Sequence, residues 1–216
     1  IINGTAPGIL AEEALRLQAL LIHYSTDYVF NGQHTQPYIE QDLVNPISVY
    51  GASKLAGEQA IQAVGGRYLI FRTAWVYGRR GKNFLLTIQR LAREREELRI
   101  VADQQGAPTW SRTIAEVTTQ ILAQLISPLC RAPLEALKGI YHLTCGGQTN
   151  WYEFAQAIVA HGDKQPRIVP ITTADYPTPA KRPGYSVLSN EKLTNTFGLT
   201  LPQWDQALEL CLAIQE

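Results

Sequence analysis

Apolar and polar positions along the chain predict helices and buried strands in alternation. Over residues 7–19 the apolar side chains recur at helical spacing, while Glu12, Glu13 and Arg16 take the other side, which predicts an amphipathic helix. The run 20–24 follows directly and is mostly apolar without a formal charge, as is typical of a strand buried on both faces of a parallel sheet. A helix that leads into such a strand indicates an αβ unit.

The alternation continues along most of the chain. Further helices are predicted at 49–63, 83–95 and 113–126, and further strands at 68–71, 98–101 and 139–144. Repeated alternation of this kind predicts a doubly wound α/β fold with a parallel sheet.

The pattern of the sequence changes after Cys145. A helix is predicted at 151–160 and a final amphipathic helix after Pro202, and the stretch between them is rich in proline (Pro166, Pro170, Pro177, Pro179 and Pro183). Loops carry binding groups disproportionately, so this stretch is a candidate wall of a substrate site. We therefore divide the chain into a core at 1–145 and a smaller lobe formed mainly by 146–216, with the chain crossing between them.

Composition narrows the classes of function. The 19 basic and 19 acidic residues balance to zero formal charge, so no electrostatic field favours nucleic acid or an anionic membrane surface. No apolar run approaches the ~20 residues that span a bilayer. The N-terminus also lacks the pattern of a signal peptide. We expect a soluble, cytoplasmic protein without a membrane or nucleic-acid partner.

The spacing of cysteine and histidine argues against a metal site. Cys130, Cys145 and Cys211 form no CxxC pair, which favours buried thiols in a reducing compartment. The histidines have no ligand spacing either, so no metal ligand is predicted among them (His23, His34, His142 and His161).

Tyr50 and Lys54 carry the central chemical signal. They lie four residues apart at the start of the predicted helix 49–63, so both side chains extend from one face. A tyrosine with its ordinary pKa near 10 is a poor proton donor at neutral pH. Lys54 and a bound pyridinium together would lower that pKa by roughly 3, equivalent to about 4 kcal/mol. Tyr50 would then act as a general acid. Such a pair also occurs by chance on helix surfaces, so it needs context.

Ser25, Thr26 and Asp27 supply that context. They follow a predicted buried strand, and the C-terminal ends of strands form the usual ligand crevice of open α/β sheets. A hydroxyl there can hydrogen-bond a substrate carbonyl oxygen and stabilise charge that develops on it during reduction. Capping of a turn explains one such residue well, but three in a row less well.

Ordered blocks across the whole chain resemble one enzyme family. STDYVFNG begins at Ser25 and is followed by PYIE and by NPISVYGASKLAGE, which contains Tyr50 and Lys54. Three later blocks are RTAWVY, DQQGAPT and PTPAKRP. Together they resemble the dTDP-4-dehydrorhamnose reductases, which are extended short-chain dehydrogenases/reductases.

The resemblance implies a Rossmann-like domain that binds NADPH or NADH, here 1–145, and a C-terminal lobe that binds the substrate. The implied reaction reduces the 4-keto group of dTDP-4-dehydro-6-deoxy-L-mannose to dTDP-L-rhamnose, a precursor of cell-envelope polysaccharide. The partner is therefore a dTDP-sugar. A homodimer stays open, and a magnesium ion at a dimer contact, used by some relatives, has no support in the sequence.

The resemblance also implies a role for each matching residue. Tyr50 would donate the proton to the C4 oxygen, and Lys54 would hold the nicotinamide ribose and lower the pKa of Tyr50. Thr26 and Asp27 would contact the substrate and tune the proton transfer. The expected cofactor-binding residues are Tyr24, Ser25, Tyr50 and Lys54. The expected substrate-binding residues are Thr26, Asp27, Trp75, Asn83, Arg182 and Ser186. Trp75 has the alternative of a core aromatic, and an arginine fork suits the diphosphate.

The chain departs from the family pattern in one respect. It contains no G-x-x-G-x-x-G loop after a first strand, the loop that cradles the cofactor diphosphate. It also has no methionine and begins Ile1-Ile2, so we expect a longer protein whose N-terminal third supplies this loop. These residues alone are predicted to bind dinucleotide weakly or not at all, to have negligible activity and to expose the strand 20–24 as an edge prone to association.

Two alternatives stay open. One is another nucleotide-sugar enzyme of the same superfamily, an epimerase or a dehydratase, although Tyr28 stands where dehydratases place a glutamate after the aspartate. The other is a non-catalytic binding subunit that resembles the regulatory subunit of methionine adenosyltransferase. The presence of Thr26, Tyr50, Lys54 and Trp75 together favours the reductase.

Overall fold

The computed structural model describes residues 1–127 and 133–213. Their helices are α1 (Thr5–Arg16), α2 (Val49–Val64), α3 (Phe84–Glu94), α4 (Ser111–Ile126), α5 (Leu134–Leu137), α6 (Trp151–Ala160), α7 (Glu191–Phe197) and α8 (Trp204–Ala213). Their strands are β1 (Leu21–Thr26), β2 (Tyr68–Thr73), β3 (Val76–Tyr77), β4 (Glu97–Val101), β5 (Gln105–Gly106), β6 (Thr109–Trp110), β7 (Gly139–His142), β8 (Thr149–Asn150) and β9 (Arg167–Ile171). Each predicted helix and strand is present, with ends that differ by a few residues.

A parallel sheet in the order β1-β2-β7 forms the centre of the fold. The middle strand β2 is buried from Leu69 onward. Its Ile70 packs with Ile61 of α2 on one face, whereas Phe71 packs with Ile121 of α4 on the other. Helices therefore cover both faces of a parallel sheet, which confirms the predicted α/β class.

β1 is an edge strand of this sheet. In the part of the chain that the structure describes it pairs with β2 alone. Its first residues are partly buried and Tyr24 is 41% exposed, so the predicted burial of 20–24 on both faces is wrong. Its other edge has no strand partner within 1–127 and 133–213. Association through this edge stays a prediction.

Three small sheets complete the strand pairing. β4 pairs in parallel with β9, β3 with β6, and β5 pairs antiparallel with β8. The strand predicted at 98–101 therefore exists but lies outside the central sheet, paired with a strand from the proline-rich stretch. The division at 145, with the chain crossing between the two parts, stays a prediction.

A second core lies between α3, α6 and α8. Leu85 and Ile88 of α3 pack with Phe154 and Ile158 of α6 and with Leu208 of α8. Side chains of the middle and last thirds of the chain thus share one apolar cluster. This cluster attaches the C-terminal helices to the end of the molecule that holds β3 and β6, next to the end of β2.

The structure tests two expectations from composition, the burial of the cysteines and the lack of a membrane-spanning helix. Cys145 and Cys211 are buried free thiols, as predicted, whereas Cys130 lies outside the described residues. Within 1–127 and 133–213 no helix is both long enough and apolar enough to cross a bilayer.

Candidate active site

The end of β1 and the start of α2 meet at the predicted site. Ser48 caps α2, its hydroxyl accepting a hydrogen bond from the amide of Gly51 at 3.1 Å. A Cβ on Gly51 would lie 2.1 Å from the carbonyl oxygen of Tyr28, so glycine is required for this close approach. The approach brings Tyr50 against the segment that follows β1. Its ring meets the ring of Tyr28 edge to face, with 5.8 Å between centroids.

Tyr50 lies beside Thr26 and Asp27, as predicted. Its side chain is 49% exposed at the surface of the site. Burial raises the pKa of Tyr50 and the charge of Asp27 raises it further, whereas a hydrogen bond with the Thr26 hydroxyl lowers it. Lys54 does not contribute. In the chain by itself the pKa of Tyr50 is thus raised, chiefly by burial. Its lowering by Lys54 together with a bound pyridinium stays a prediction.

Lys54 is held against the strand rather than against Tyr50. Its ammonium donates to the carbonyl oxygen of Tyr24 and lies 3.2 Å from Nε2 of His23. Burial lowers the pKa of Lys54, and the charge of Glu58 counteracts the fall. An ammonium has three donors, so one remains for a further acceptor.

Asp27 is a buried carboxyl with an elevated pKa. Its side chain accepts a hydrogen bond from Thr26 Oγ1 at 3.0 Å, whereas Oδ2 has no hydrogen-bond partner among the described residues. Burial raises the pKa of Asp27 to about 6, a rise that the nearby hydroxyls of Ser186 and Thr26 limit. Asp27 can therefore gain or lose a proton close to neutral pH.

Sequence reasoning did not assign a role to Glu58, which is fully buried behind the site. Its carboxylate accepts a hydrogen bond from Ser25 and forms an ion pair with Arg72 of β2, with 2.7 Å between Nη2 and Oε2. Ser25 is therefore engaged by α2 in the chain by itself. A signal was available, because Tyr50, Lys54 and Glu58 follow one another at intervals of four on one helix face.

Trp75 follows β2 with an unusual backbone. Its φ of +47° lies in the left-handed region, which costs a bulky residue about 1–3 kcal/mol. The indole stacks on Trp151 and closely approaches Gly106, where a Cβ would lie 2.4 Å from the ring. Trp75 is partly exposed, so the alternative of a fully buried core aromatic does not describe it. Backbone strain of this kind accompanies binding sites.

The remaining predicted residues fall into different environments. Arg182 is exposed. Burial raises the pKa of Tyr28 to about 12 and the charge of Arg182 limits that rise, so Arg182 lies near the site. Ser186 is buried next to Asp27. Asn83 caps α3: its oxygen accepts from the amide of Leu86, and its nitrogen donates to backbone carbonyls. The hydroxyl of Tyr24 pairs with Thr118 of α4, on the opposite face of the sheet from Lys54.

The predicted cofactor site has residues that can bind the nicotinamide ribose but, among the described residues, none that is placed to bind the diphosphate. Lys54, with one unused donor, and the half-exposed Tyr50 fit the nicotinamide ribose. No glycine-rich loop is present in the 216 residues to hold the diphosphate. Across the described ranges no three His, Cys, Asp or Glu side chains converge in a way that would hold a metal ion.

Comparisons with known proteins agree over the whole chain. The model of the RmlD substrate binding domain family matches residues 1–216. A dTDP-4-dehydrorhamnose reductase of Burkholderia thailandensis is 52% identical over 220 residues, which is 98% of this chain and 73% of that protein. The solved structure of such a reductase from Clostridium acetobutylicum has a TM-score of 0.88 and 38% identity, over 97% of this chain and 71% of that one. The reductase of Bacillus anthracis in complex with NADP also has a TM-score of 0.88, with 34% identity over 97% of this chain and 70% of that one. The chain therefore belongs to the dTDP-4-dehydrorhamnose reductase family.

Proposed function

We propose that the chain reduces the 4-keto group of dTDP-4-dehydro-6-deoxy-L-mannose with NADPH or NADH, giving dTDP-L-rhamnose. Family membership supports the reaction, and the complex of a solved relative with NADP supports the cofactor class. The observation that carries the proposal is the meeting of Tyr50 with Thr26 and Asp27 at the C-terminal end of β1. This is where parallel α/β sheets bind ligands.

Tyr50 is the proton donor in this proposal. Its phenol is half-exposed, so it can reach the C4 oxygen of a bound sugar. The hydrogen bond with Thr26 orients the hydroxyl, and the Thr26 hydroxyl can also stabilise negative charge on the reacting oxygen. A bound nicotinamide cofactor supplies the hydride. The phenol must lose its proton during the reaction. In the proposal Lys54 and the bound pyridinium together favour that loss, which Lys54 does not do in the chain by itself.

Lys54 holds the nicotinamide ribose through the one donor that the strand leaves unused. Its other two donors fix the ammonium to the carbonyl oxygen of Tyr24 and to His23. The ammonium therefore has a defined position before a ribose hydroxyl binds to it, which reduces the entropy lost on binding. Tyr24 and Ser25 are the remaining proposed cofactor contacts, although the Tyr24 ring faces α4 and the Ser25 hydroxyl donates to Glu58 in the chain by itself.

Asp27 tunes the proton transfer. Its pKa of about 6 allows the carboxyl to change protonation in the range where the enzyme works. The ionised carboxylate raises the pKa of the neighbouring Tyr50, which keeps the phenol protonated until the substrate oxygen needs the proton.

The sugar and its diphosphate are bound by the residues around this centre. Trp75 provides a flat indole face, held rigid by Trp151, for the sugar ring. Arg182 supplies an exposed guanidinium for the diphosphate, and Ser186 contacts the substrate beside Asp27. Asn83 completes the set in the proposal, although its amide is already engaged as a helix cap.

The setting of the reaction is part of the proposal. In it, residues 1–145 belong to the cofactor domain and 146–216 form mainly the substrate lobe. The proposed location is the cytoplasm, and the homodimer stays a prediction.

The test is identification of the product. The 216-residue chain, and a chimaera in which the glycine-rich N-terminal segment of a family member precedes Ile1, are incubated with the keto-sugar and NADPH or NADH. The expected result is dTDP-L-rhamnose, identified by its proton couplings, from the chimaera and negligible product from the 216 residues alone. A product with the other configuration at C4, or the absence of any product from the folded chimaera, would overturn the proposal.

A further inference from the structure

We propose that His23 and Glu58 are positioning residues that fix the ammonium of Lys54 at the end of β1. The inference rests on the proposed function, which gives Lys54 its role in the reduction. It adds two residues that contact neither substrate nor cofactor and act through the lysine.

His23 provides a direct contact. Its Nε2 lies 3.2 Å from the Nζ atom of Lys54, which also donates to the carbonyl oxygen of Tyr24, the next residue of β1. Successive strand side chains point to opposite faces, so His23 and Ser25 face α2 while Tyr24 faces α4. Burial and the charge of Lys54 lower the pKa of His23 to about 4. The imidazole is therefore neutral at pH 7, and its Nε2 can accept a hydrogen from the ammonium.

Glu58 provides a fixed negative charge on the same helix. It lies one turn after Lys54, and its carboxylate is fully buried. Ser25 of β1 and the guanidinium of Arg72 on β2 both donate to it, so it is tied to two strands of the central sheet. Its charge raises the pKa of Lys54 against the effect of burial. Glu58 thus offsets part of the effect of burial, which disfavours the charged form of the lysine.

Charged and titratable groups face Lys54 from each element packed around it. These are His23 on β1 and Glu58 on α2, with Arg72 on β2 beyond Glu58. Arg72 neutralises part of the Glu58 charge. The pKa of Lys54 therefore depends on the balance between the charge of the buried Glu58 carboxylate and the charge of its ion-pair partner Arg72.

The test compares His23→Leu with His23→Gln, which retains an acceptor on a side chain of similar reach. In the chimaera, the leucine variant is expected to lower kcat about tenfold, as expected for a lost hydrogen bond to a charged group, with KM for the keto-sugar unchanged. The glutamine variant should recover most of the loss. A structural role alone would not produce this rescue or this separation of kcat from KM. Equal rates for wild type and the leucine variant would overturn the inference.

A second measurement does not depend on turnover. Lysine labelled with ¹³C at Cε is titrated by NMR in the 216-residue chain, with the Lys54 signal assigned by its loss in Lys54→Arg. The titration of Lys54 is expected to move to lower pH in Glu58→Gln, and in the wild type the ¹⁵N shift of His23 should show Nε2 without a proton at pH 7. A protonated Nε2, or an unchanged Lys54 titration in folded Glu58→Gln, would contradict the inference.

The two measurements separate the failure of the inference from the failure of the proposed function. Absence of turnover in the wild-type chimaera would reject the proposed function, while the NMR titrations would still decide whether His23 and Glu58 fix the ammonium. Normal turnover with no effect of His23→Leu would reject the inference alone.

Discussion

The indole rings of Trp75 and Trp151 stack face to face, with 3.6 Å between their centroids and 9° between their planes. Trp75 follows β2 of the central sheet, whereas Trp151 begins α6. The indole nitrogen of Trp151 donates to Gln104, in the turn that also supplies Gly106. Three separate segments thus hold the strained Trp75 in one orientation.

Gly106→Ala is expected to disturb Trp75 and weaken binding of the sugar. The new methyl group would lie 2.4 Å from the indole, so the ring must move. We expect KM for the keto-sugar to rise about fivefold, because aromatic contacts of this kind contribute about 1 kcal/mol. The matched control is Gly184→Ala, whose methyl group would meet nothing closer than 3.8 Å. Equal KM values for the two variants would exclude the proposed role of Trp75.

Asp27→Asn is expected to stabilise the fold at neutral pH. The folded-state pKa of Asp27 is raised from 3.8 to about 6, so the folded state binds the proton more tightly than the unfolded state. This contribution to stability is present at low pH and is lost as pH rises from about 4 to 6. The amide should raise the free energy of unfolding at pH 7.5 by at most about 3 kcal/mol and have little effect near pH 4. Urea unfolding at both pH values measures the difference, and a destabilised variant at pH 7.5 would contradict it.

Arg72→Met is expected to lower the free energy of unfolding by about 3–5 kcal/mol, because it leaves the buried carboxylate of Glu58 without its ion-pair partner. Replacing both residues, as Arg72→Met with Glu58→Leu, should recover much of that loss. Chemical denaturation of the two single variants and the double variant forms a thermodynamic cycle. If the double variant loses as much stability as the two single variants together, Arg72 and Glu58 are not coupled as the structure indicates.

Acidification is expected to destabilise the chain through His142. This residue is fully buried, and burial with the charge of Arg72 lowers its pKa to about 3. The unfolded state binds a proton near pH 6.5, so the stability that neutral His142 contributes is lost as pH falls below that value. The stability of His142→Gln should depend less on pH in this range. Its Tm should therefore fall less steeply between pH 6.5 and 4 than the Tm of the wild type. Parallel Tm profiles for the two proteins would rule out this role.

The sequence predicted the parts of the site that depend on local order. Tyr50 and Lys54 share a face because helical spacing requires it, and Thr26 and Asp27 lie at the end of β1 because the strand stops there. The residues that the sequence missed act over long distances. His23 reaches Lys54 only when β1 packs on α2, and no local pattern encodes that contact. Glu58 shares a helix face with Lys54, but its partners Ser25 and Arg72 come from two strands that the helical spacing does not reveal.

The difference between local pattern and long-range contact also explains where the predicted fold departs from the structure. β9 was missed because Pro170 breaks the pattern of a strand, yet β9 has β4 as its only strand neighbour among the described residues, so the proline occupies an edge. α7 was missed because it is short and its buried residues Leu193 and Phe197 form a single apolar pair. The edge position of β1 agrees with the expectation drawn from the missing glycine-rich loop, whereas its burial on both faces was predicted wrongly, because the apolar run alone does not give the number of neighbours of a strand.

The most direct test of the account is the rate of NADPH oxidation by Tyr50→Phe in the chimaera. The phenylalanine ring keeps the packing against Tyr28 but cannot donate a proton. We expect kcat to fall about 10²- to 10⁴-fold, the usual contribution of a general acid, with an unchanged far-ultraviolet circular dichroism spectrum and Tm. A folded Tyr50→Phe variant with the turnover of the wild type would contradict the account.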